Sequence, residues 1–190
     1  MTAPLTIREA RPSDADGIAA VHVRAWRAAY RGLVAQDVLD GLLISERAEG
    51  WRDVLAQPLP TGLGTFVAER GGEIVAWVSI GAGRDDDRLL DGEVYGLYAD
   101  PSAWSTGAGH ALLEDAERRL ADAGHARAYL WVLDGNERAD AFYERHGWLA
   151  DGATKLDARP RVTFAEHRRV KQLRCTLDGA DSHAEAAPYD

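Results

Sequence analysis

Between Glu93 and Leu133 the chain changes its hydrophobic period twice, and that stretch constrains the fold more than any other. Glu93–Ala99 reads as a strand that stops before Pro101. From about Ala108 to Ala123, Leu112, Leu113, Ala116 and Leu120 recur at helical spacing, and Gly124 is a good stop. Arg127–Leu133 is again a strand. A strand, a helix and a strand in that order form a crossover unit whose helix must bury its apolar stripe against a sheet.

The rest of the chain is consistent with this. Leu5 to Ala10 alternates as a strand, and Pro12-Ser13 breaks it; Ser13 with Asp16 is a start signal for a helix. That helix carries Ile18, Val21, His22, Ala25, Trp26, Ala29 and Tyr30 on one stripe, where His22 reads as a core histidine, and Gly32 ends it. A second helix is expected over 37–56, with Leu39, Leu42, Leu43, Trp51 and Leu55 inward, although Gly41 and Gly50 weaken it. Thr65–Arg70 and Glu73–Ile80 flank Gly71-Gly72 and read as a hairpin with a two-residue turn. Gly81 to Arg88, with Asp85-Asp86-Asp87, reads as a polar, mobile loop. Ala139, Phe142, Tyr143 and His146 form the inner stripe of a short helix capped by Asn136 and closed by Gly147, and strands are expected near 153–157 and 162–176. A hairpin pattern followed by β-α-β predicts an α/β (α+β) fold, a mixed sheet with helices on both faces. The organisation is one domain over 1–177 and a disordered tail over 178–190.

The turn between the Glu93 strand and the following helix carries the chemistry. It reads Asp100-Pro101-Ser102-Ala103-Trp104-Ser105-Thr106-Gly107-Ala108-Gly109-His110. The first turn of a helix has unpaired N–H groups and the positive end of its dipole, and glycines let an anion approach that backbone closely. A plain tight turn would also use glycines. A dinucleotide fingerprint requires a third small residue where Leu112 stands, and a Walker loop requires Lys then Ser or Thr where His110-Ala111 stand. Both are excluded by spacing.

Composition narrows the partners. A formal net charge of -9 disfavours nucleic-acid backbone. No apolar run reaches the roughly 20 residues of a membrane span, and the first residues do not form a secretory signal. Cys175 is the only cysteine, which excludes an intrachain disulfide and fits a cytoplasmic location. The histidines lack metal-ligand spacing, so no metal is expected.

With these motifs in place, the chain resembles the GNAT superfamily of N-acetyltransferases. The loop resembles that family's coenzyme A loop, [Gln or Arg]-x-x-Gly-x-[Gly or Ala]: Gly107 and Gly109 match, while Trp104 stands where Gln or Arg is usual and Thr106 where Arg is frequent. Trp131 to Trp148 resembles the late segment, a strand, an Asn, and a helix with Phe-Tyr and a Gly-aromatic ending. The likeness spans roughly 5–176 in element order and is specific over 93–113 and 129–149. It implies a mostly antiparallel sheet of about six or seven strands with splayed central parallel strands, and transfer of an acetyl group from acetyl-CoA to an amine. It implies that Leu97, Tyr98, Ala99, Trp104, Ser105, Thr106, Gly107, Ala108, Gly109 and His110 hold the coenzyme, chiefly through backbone N–H groups, and that Asn136 touches its pantetheine arm. It implies Tyr143 as general acid for the leaving thiolate.

The amine must lose a proton, and Glu93, acting through water, is the first candidate base. Tyr95 is the second, or a substrate contact. If the strand is regular, Glu93, Tyr95 and Leu97 share a face; Gly96 inside it marks a possible bulge. An N–H near Leu97 to Ala99 is the expected oxyanion donor. Trp26 and Tyr30 are expected to wall the acceptor pocket. The acceptor is a small-molecule amine or a protein amine, and a homodimer is compatible. Two other readings stand beside this: a coenzyme-binding module of the same fold without turnover, and a nucleotide-phosphate enzyme whose nearest carboxylate would be Asp100.

Overall fold

The computed structural model describes residues 3–57, 60, 62–159 and 162–174. Seven strands run in chain order: β1 Leu5–Glu9, β2 Gly64–Arg70, β3 Glu73–Ala82, β4 Gly92–Ala99, β5 Arg127–Leu133, β6 Leu149–Arg159 and β7 Val162–Gln172. The α-helices are α1 Ala15–Ala29, α2 Gln36–Asp40, α3 Ile44–Leu55, α4 Ala108–Asp122 and α5 Glu137–Arg145. The strands form one sheet in the order β1-β2-β3-β4-β5-β7-β6, antiparallel throughout except for the parallel pair β4–β5.

Helices cover both faces, as the alternating strands require. On one face Leu112, Leu113, Ala116 and Leu120 of α4 pack on Phe66, Val78, Ile80, Val94 and Leu130, and Tyr143 and Trp148 join the same cluster. On the other, Ile18 and Val21 of α1 and Trp51 of α3 pack on Val67 and Trp77. Each fully buried Leu or Val contributes about 2 kcal/mol, so the two-faced burial of β2, next to the β1 edge, anchors that side of the sheet. At the hairpin turn both Gly71 (φ 61) and Gly72 (φ 85) take the left-handed region, as a two-residue connection demands.

Three expectations change. The helix expected over 37–56 is two helices, because the Arg27 guanidinium takes the carbonyls of Leu39, Asp40 and Leu42 and satisfies the end of α2 there. Leu39 and Trp51 are buried as expected, whereas Leu43 is half exposed. Ser13 does not cap α1: it lies in a 3-10 turn, Pro12–Asp14, where the Asp14 carboxylate accepts from the Arg11 N–H at 2.7 Å. The Glu93 strand is not regular. Ser79 pairs with Gly96 but Ile80 pairs with Val94, so Tyr95 is an extra residue. The bulge reverses facing along β4, and Val94 and Leu97 both join the α4 side instead of alternating as parity predicts. The last strand ends at Gln172; Cys175, Thr176 and the tail over 178–190 lie outside the described residues.

Candidate active site

β4 and β5 pair only at Gly92–Ala128, Glu93–Tyr129 and Val94–Leu130, although both strands continue to Ala99 and Leu133. The extra residue at Tyr95 bends β4 away from its neighbour. Among the described residues, the edge of β4 that faces β5 has no strand partner from Tyr95 to Ala99. The wedge opens into a cleft of about 1130 Å³ bounded by the glycine loop, α5, the end of α1 and the β6–β7 hairpin.

The glycine loop is held in shape by its own side chains. Asp100 accepts from the N–H and hydroxyl of Ser102 at 2.9 and 2.6 Å and pairs with Arg24. Burial alone would raise the Asp100 carboxyl, but these donors outweigh it and hold it below the ordinary carboxylate range. The Trp104 indole N–H donates to the Ala99 carbonyl at 2.9 Å, and the Thr106 hydroxyl donates to Ala103 O at 2.7 Å. Ser105 (φ 61) and Gly107 (φ 90) are both left-handed, which turns the chain sharply into α4. Among the described residues, no acceptor meets the backbone N–H groups of Gly107, Ala108, Gly109 or His110. That cradle fits a pyrophosphate in charge and in donor geometry.

Most of the expected coenzyme residues line the cleft: Leu97, Tyr98, Ala99, Trp104, Ser105, Gly107, Gly109, His110 and Asn136. Thr106 and Ala108 do not line it; the Thr106 side chain is tied to Ala103 and Arg70, and Ala108 is buried in the core. Asn136 caps α5, its side-chain oxygen accepting from the Ala139 N–H at 3.2 Å.

Tyr30, Tyr98 and Tyr143 each bring a phenol to the cleft. The Tyr30 and Tyr98 hydroxyls are 2.9 Å apart, and Tyr143 lines the same cleft from α5. Burial, and then the nearness of Tyr98, push the Tyr143 phenol well above its ordinary value, so it keeps its proton at neutral pH. Trp26 is not part of this cleft; it packs with Tyr30, Val34, Leu39 and Phe164 beside a smaller cavity. The Tyr95 hydroxyl donates to Ala82 O at 2.8 Å, with the Arg84 guanidinium over its ring.

Glu93 lines the cleft but is almost fully buried, and both its oxygens are engaged. Arg84 donates from Nη2 at 2.6 Å, from Nε at 2.9 Å and from its backbone N–H at 3.1 Å, and the Tyr129 hydroxyl donates at 2.8 Å. The loop expected to be mobile is tied down by the same logic. Arg168, almost fully buried, bonds Asp85, Asp87 and Asp151, and the Trp131 indole N–H donates to Asp85 at 3.0 Å.

Sequence reasoning missed the charges around the cleft. Its described acids, Asp85, Glu93, Asp157 and Glu166, belong to the loop after β3, to β4 and to the β6–β7 hairpin. None comes from the glycine loop, α4 or α5, where Arg138, Arg145, His110 and His146 line it instead. The seven-residue spacing of Arg138 and Arg145, two helical turns, was a readable signal. The link between Glu93, Arg84 and Tyr129 was not, since it joins three separate strands and loops.

The profile of the acetyltransferase (GNAT) family matches residues 25–148. The chain belongs to that family. It is accordingly an acyl-CoA-dependent N-acyltransferase with acetyl-CoA as co-substrate. It is 32% identical over 133 residues to the uncharacterised N-acetyltransferase YuaI of Bacillus subtilis, covering 70% of this chain and 73% of that one. It is 34% identical over 146 residues to a mycothiol acetyltransferase of Streptomyces bingchenggensis, covering 76% of this chain but 42% of that one. In fold it is similar to the PaiA N-acetyltransferase of Thermoplasma acidophilum, solved in complex with coenzyme A, with a TM-score of 0.66, 17% identity and coverage of 89% and 99% of the two chains. Among the described residues no helix is long and apolar enough to cross a membrane, and no group of three or more His, Cys, Asp or Glu side chains converges as a metal site would need.

Proposed function

We propose that this GNAT protein transfers an acetyl group by direct attack of an amine, with the acyl chain lying along the unpaired β4 edge and Tyr143 as the general acid. The carrying observation is the continuity of the cleft from the four unpaired N–H groups at the start of α4 to the Tyr143 phenol. Acetyl-CoA supplies a thioester; the amine nitrogen bonds to its carbonyl carbon as the carbon–sulfur bond breaks. Gly107 to His110 hold the pyrophosphate through backbone N–H groups. The β4 edge near Leu97 to Ala99 offers an N–H to the oxyanion. Tyr143, kept protonated by burial, gives its proton to the departing sulfur and is re-protonated from solvent.

The amine's proton leaves through water. Both Glu93 oxygens are occupied by Arg84 and Tyr129, so Glu93 anchors the polar wall against which that water stands. Tyr30 lines the acceptor side with Tyr95. The test is thiol release from acetyl-CoA across a panel of amines. Tyr143→Phe should lower kcat about a hundredfold, within the usual range for a general acid, while coenzyme affinity changes little. Wild-type kcat in the Phe variant would remove Tyr143 from the chemistry. A coenzyme-binding module without turnover would bind acetyl-CoA and release no thiol with any amine.

A further inference from the structure

α5 presents a set of cations to the coenzyme end of the cleft that the glycine loop does not account for. Arg138 and Arg145 lie two turns apart on it, both lining the cleft. The Arg138 guanidinium sits 3.7 Å from the centre of the Trp104 ring, on the loop position where the family's usual Gln or Arg is replaced. Among the described residues neither arginine has a carboxylate partner, in a chain where most other arginines do. Burial, and then the like charge of Arg145, hold Arg138 below its ordinary value. Two like charges facing one cleft without a counter-ion suit an anion.

A histidine pair extends this wall. His146 Nδ1 is 2.7 Å from the Phe142 carbonyl, which only accepts, so Nδ1 carries the hydrogen. His146 Nε2, 2.8 Å from His110 Nδ1, then accepts, and Nδ1 of His110 donates. His110 Nε2 is left facing the Glu114 carboxylate at 3.3 Å. Glu114 on α4 is the charged group the pair touches.

Resting on the acetyl-CoA reading above, we propose that Arg138, Arg145 and the His110–His146 pair form a phosphate-recognition site that selects phosphorylated coenzyme over shorter pantetheine thioesters. Arg138 takes the place left by Trp104, and the histidine pair extends the same wall from α5 to the start of α4.

The full chain is assayed for kcat/KM with acetyl-CoA, acetyl-dephospho-CoA and acetyl-pantetheine. Arg138→Gln and Arg145→Gln should each lower the acetyl-CoA to acetyl-pantetheine ratio about tenfold, the scale of one charge-assisted hydrogen bond. Loss of that effect with the dephospho substrate assigns an arginine to the 3′-phosphate; its retention assigns it to the pyrophosphate. An unchanged ratio in both arginine variants overturns the proposal. Calorimetric binding of coenzyme A and pantetheine gives the same comparison without an acceptor, so a wild type that binds selectively but turns nothing over contradicts the proposed function and supports this site.

Discussion

Gly109 separates what the fold needs from what the ligand needs. It is the second residue of α4, and an added Cβ would meet only Phe142 Cζ at 3.7 Å, Phe142 Cε2 at 3.8 Å and Leu97 Cδ2 at 3.9 Å. These are ordinary contacts, so Gly109→Ala should fit and, by removing backbone freedom from the unfolded chain, stabilise by about 0.5 kcal/mol. For a chain of this size that raises Tm by about 1–2 °C. The same methyl projects at a backbone that a phosphate must approach. Loss of one charged hydrogen bond to the Gly109 N–H costs about 1.5–3 kcal/mol, or roughly ten- to a hundredfold in acetyl-CoA affinity. Gly107 is the control: nothing lies within 4 Å of its added Cβ, but its φ of 90° strains any other residue. Gly107→Ala should therefore destabilise by about 1 kcal/mol. Scanning calorimetry and isothermal titration on both variants read the two effects. Wild-type affinity in Gly109→Ala would show that no phosphate presses on this turn; a lowered Tm would refute the packing argument.

Glu93→Gln keeps the shape of the anchor but removes its charge, leaving Arg84 to re-solvate. We expect a loss of about 2 kcal/mol in urea unfolding and a fall in kcat of less than about tenfold; a loss as large as that of Tyr143→Phe would instead make Glu93 the proton acceptor. Asp14 accepts from Arg8 at 2.6 and 3.0 Å and from the Arg11 N–H, and the Arg8 hydrogen bond, followed by opposing desolvation, leaves its carboxyl below the ordinary range. A depressed carboxyl adds stability above its unfolded value near 4 that is lost as pH falls through the folded value. Asp14→Asn should thus lower Tm at pH 7 and converge on wild type near pH 2–3; a constant gap down to that pH would exclude the linkage.

Where local chemistry decides structure, the sequence was sufficient. Gly71-Gly72 fixed a turn, Asn136 capped its helix, and the strand from Arg127 to Leu133 lies within its expected bounds. Gly96 pointed to a bulge, but the inserted residue is Tyr95, and only the pairing with β3 reveals that Val94 and Leu97 face the same way. The split between α2 and α3 depends on Arg27, distant in sequence, and Thr106 and Ala108 face away from the cleft because Arg70 and the core claim them. Backbone donors of the glycine loop were legible because a helix start must have them. Side-chain partners drawn from other elements were not.

The same division explains why the donor site is readable and the acceptor side is not. The proposed backbone cradle for the pyrophosphate is built from one strand, one turn and one helix, so its residues are contiguous. The proposed acceptor wall joins the loop after β3 to the β6–β7 hairpin, and Arg168 is the junction: it bonds Asp85 and Asp87 on the first and Asp151 on the second. Arg88 adds a second tie between the same segments, to Asp151 at 2.7 Å. A run of three aspartates that would repel itself in isolation is thereby held in a defined shape, with the Asp85 carboxylate against Trp131 and the Arg84 and Asp85 backbone N–H groups secured to Glu93 and Tyr129. On the proposed reading this wall faces the acceptor, and changes in amine preference should map to these two segments more than to the glycine loop.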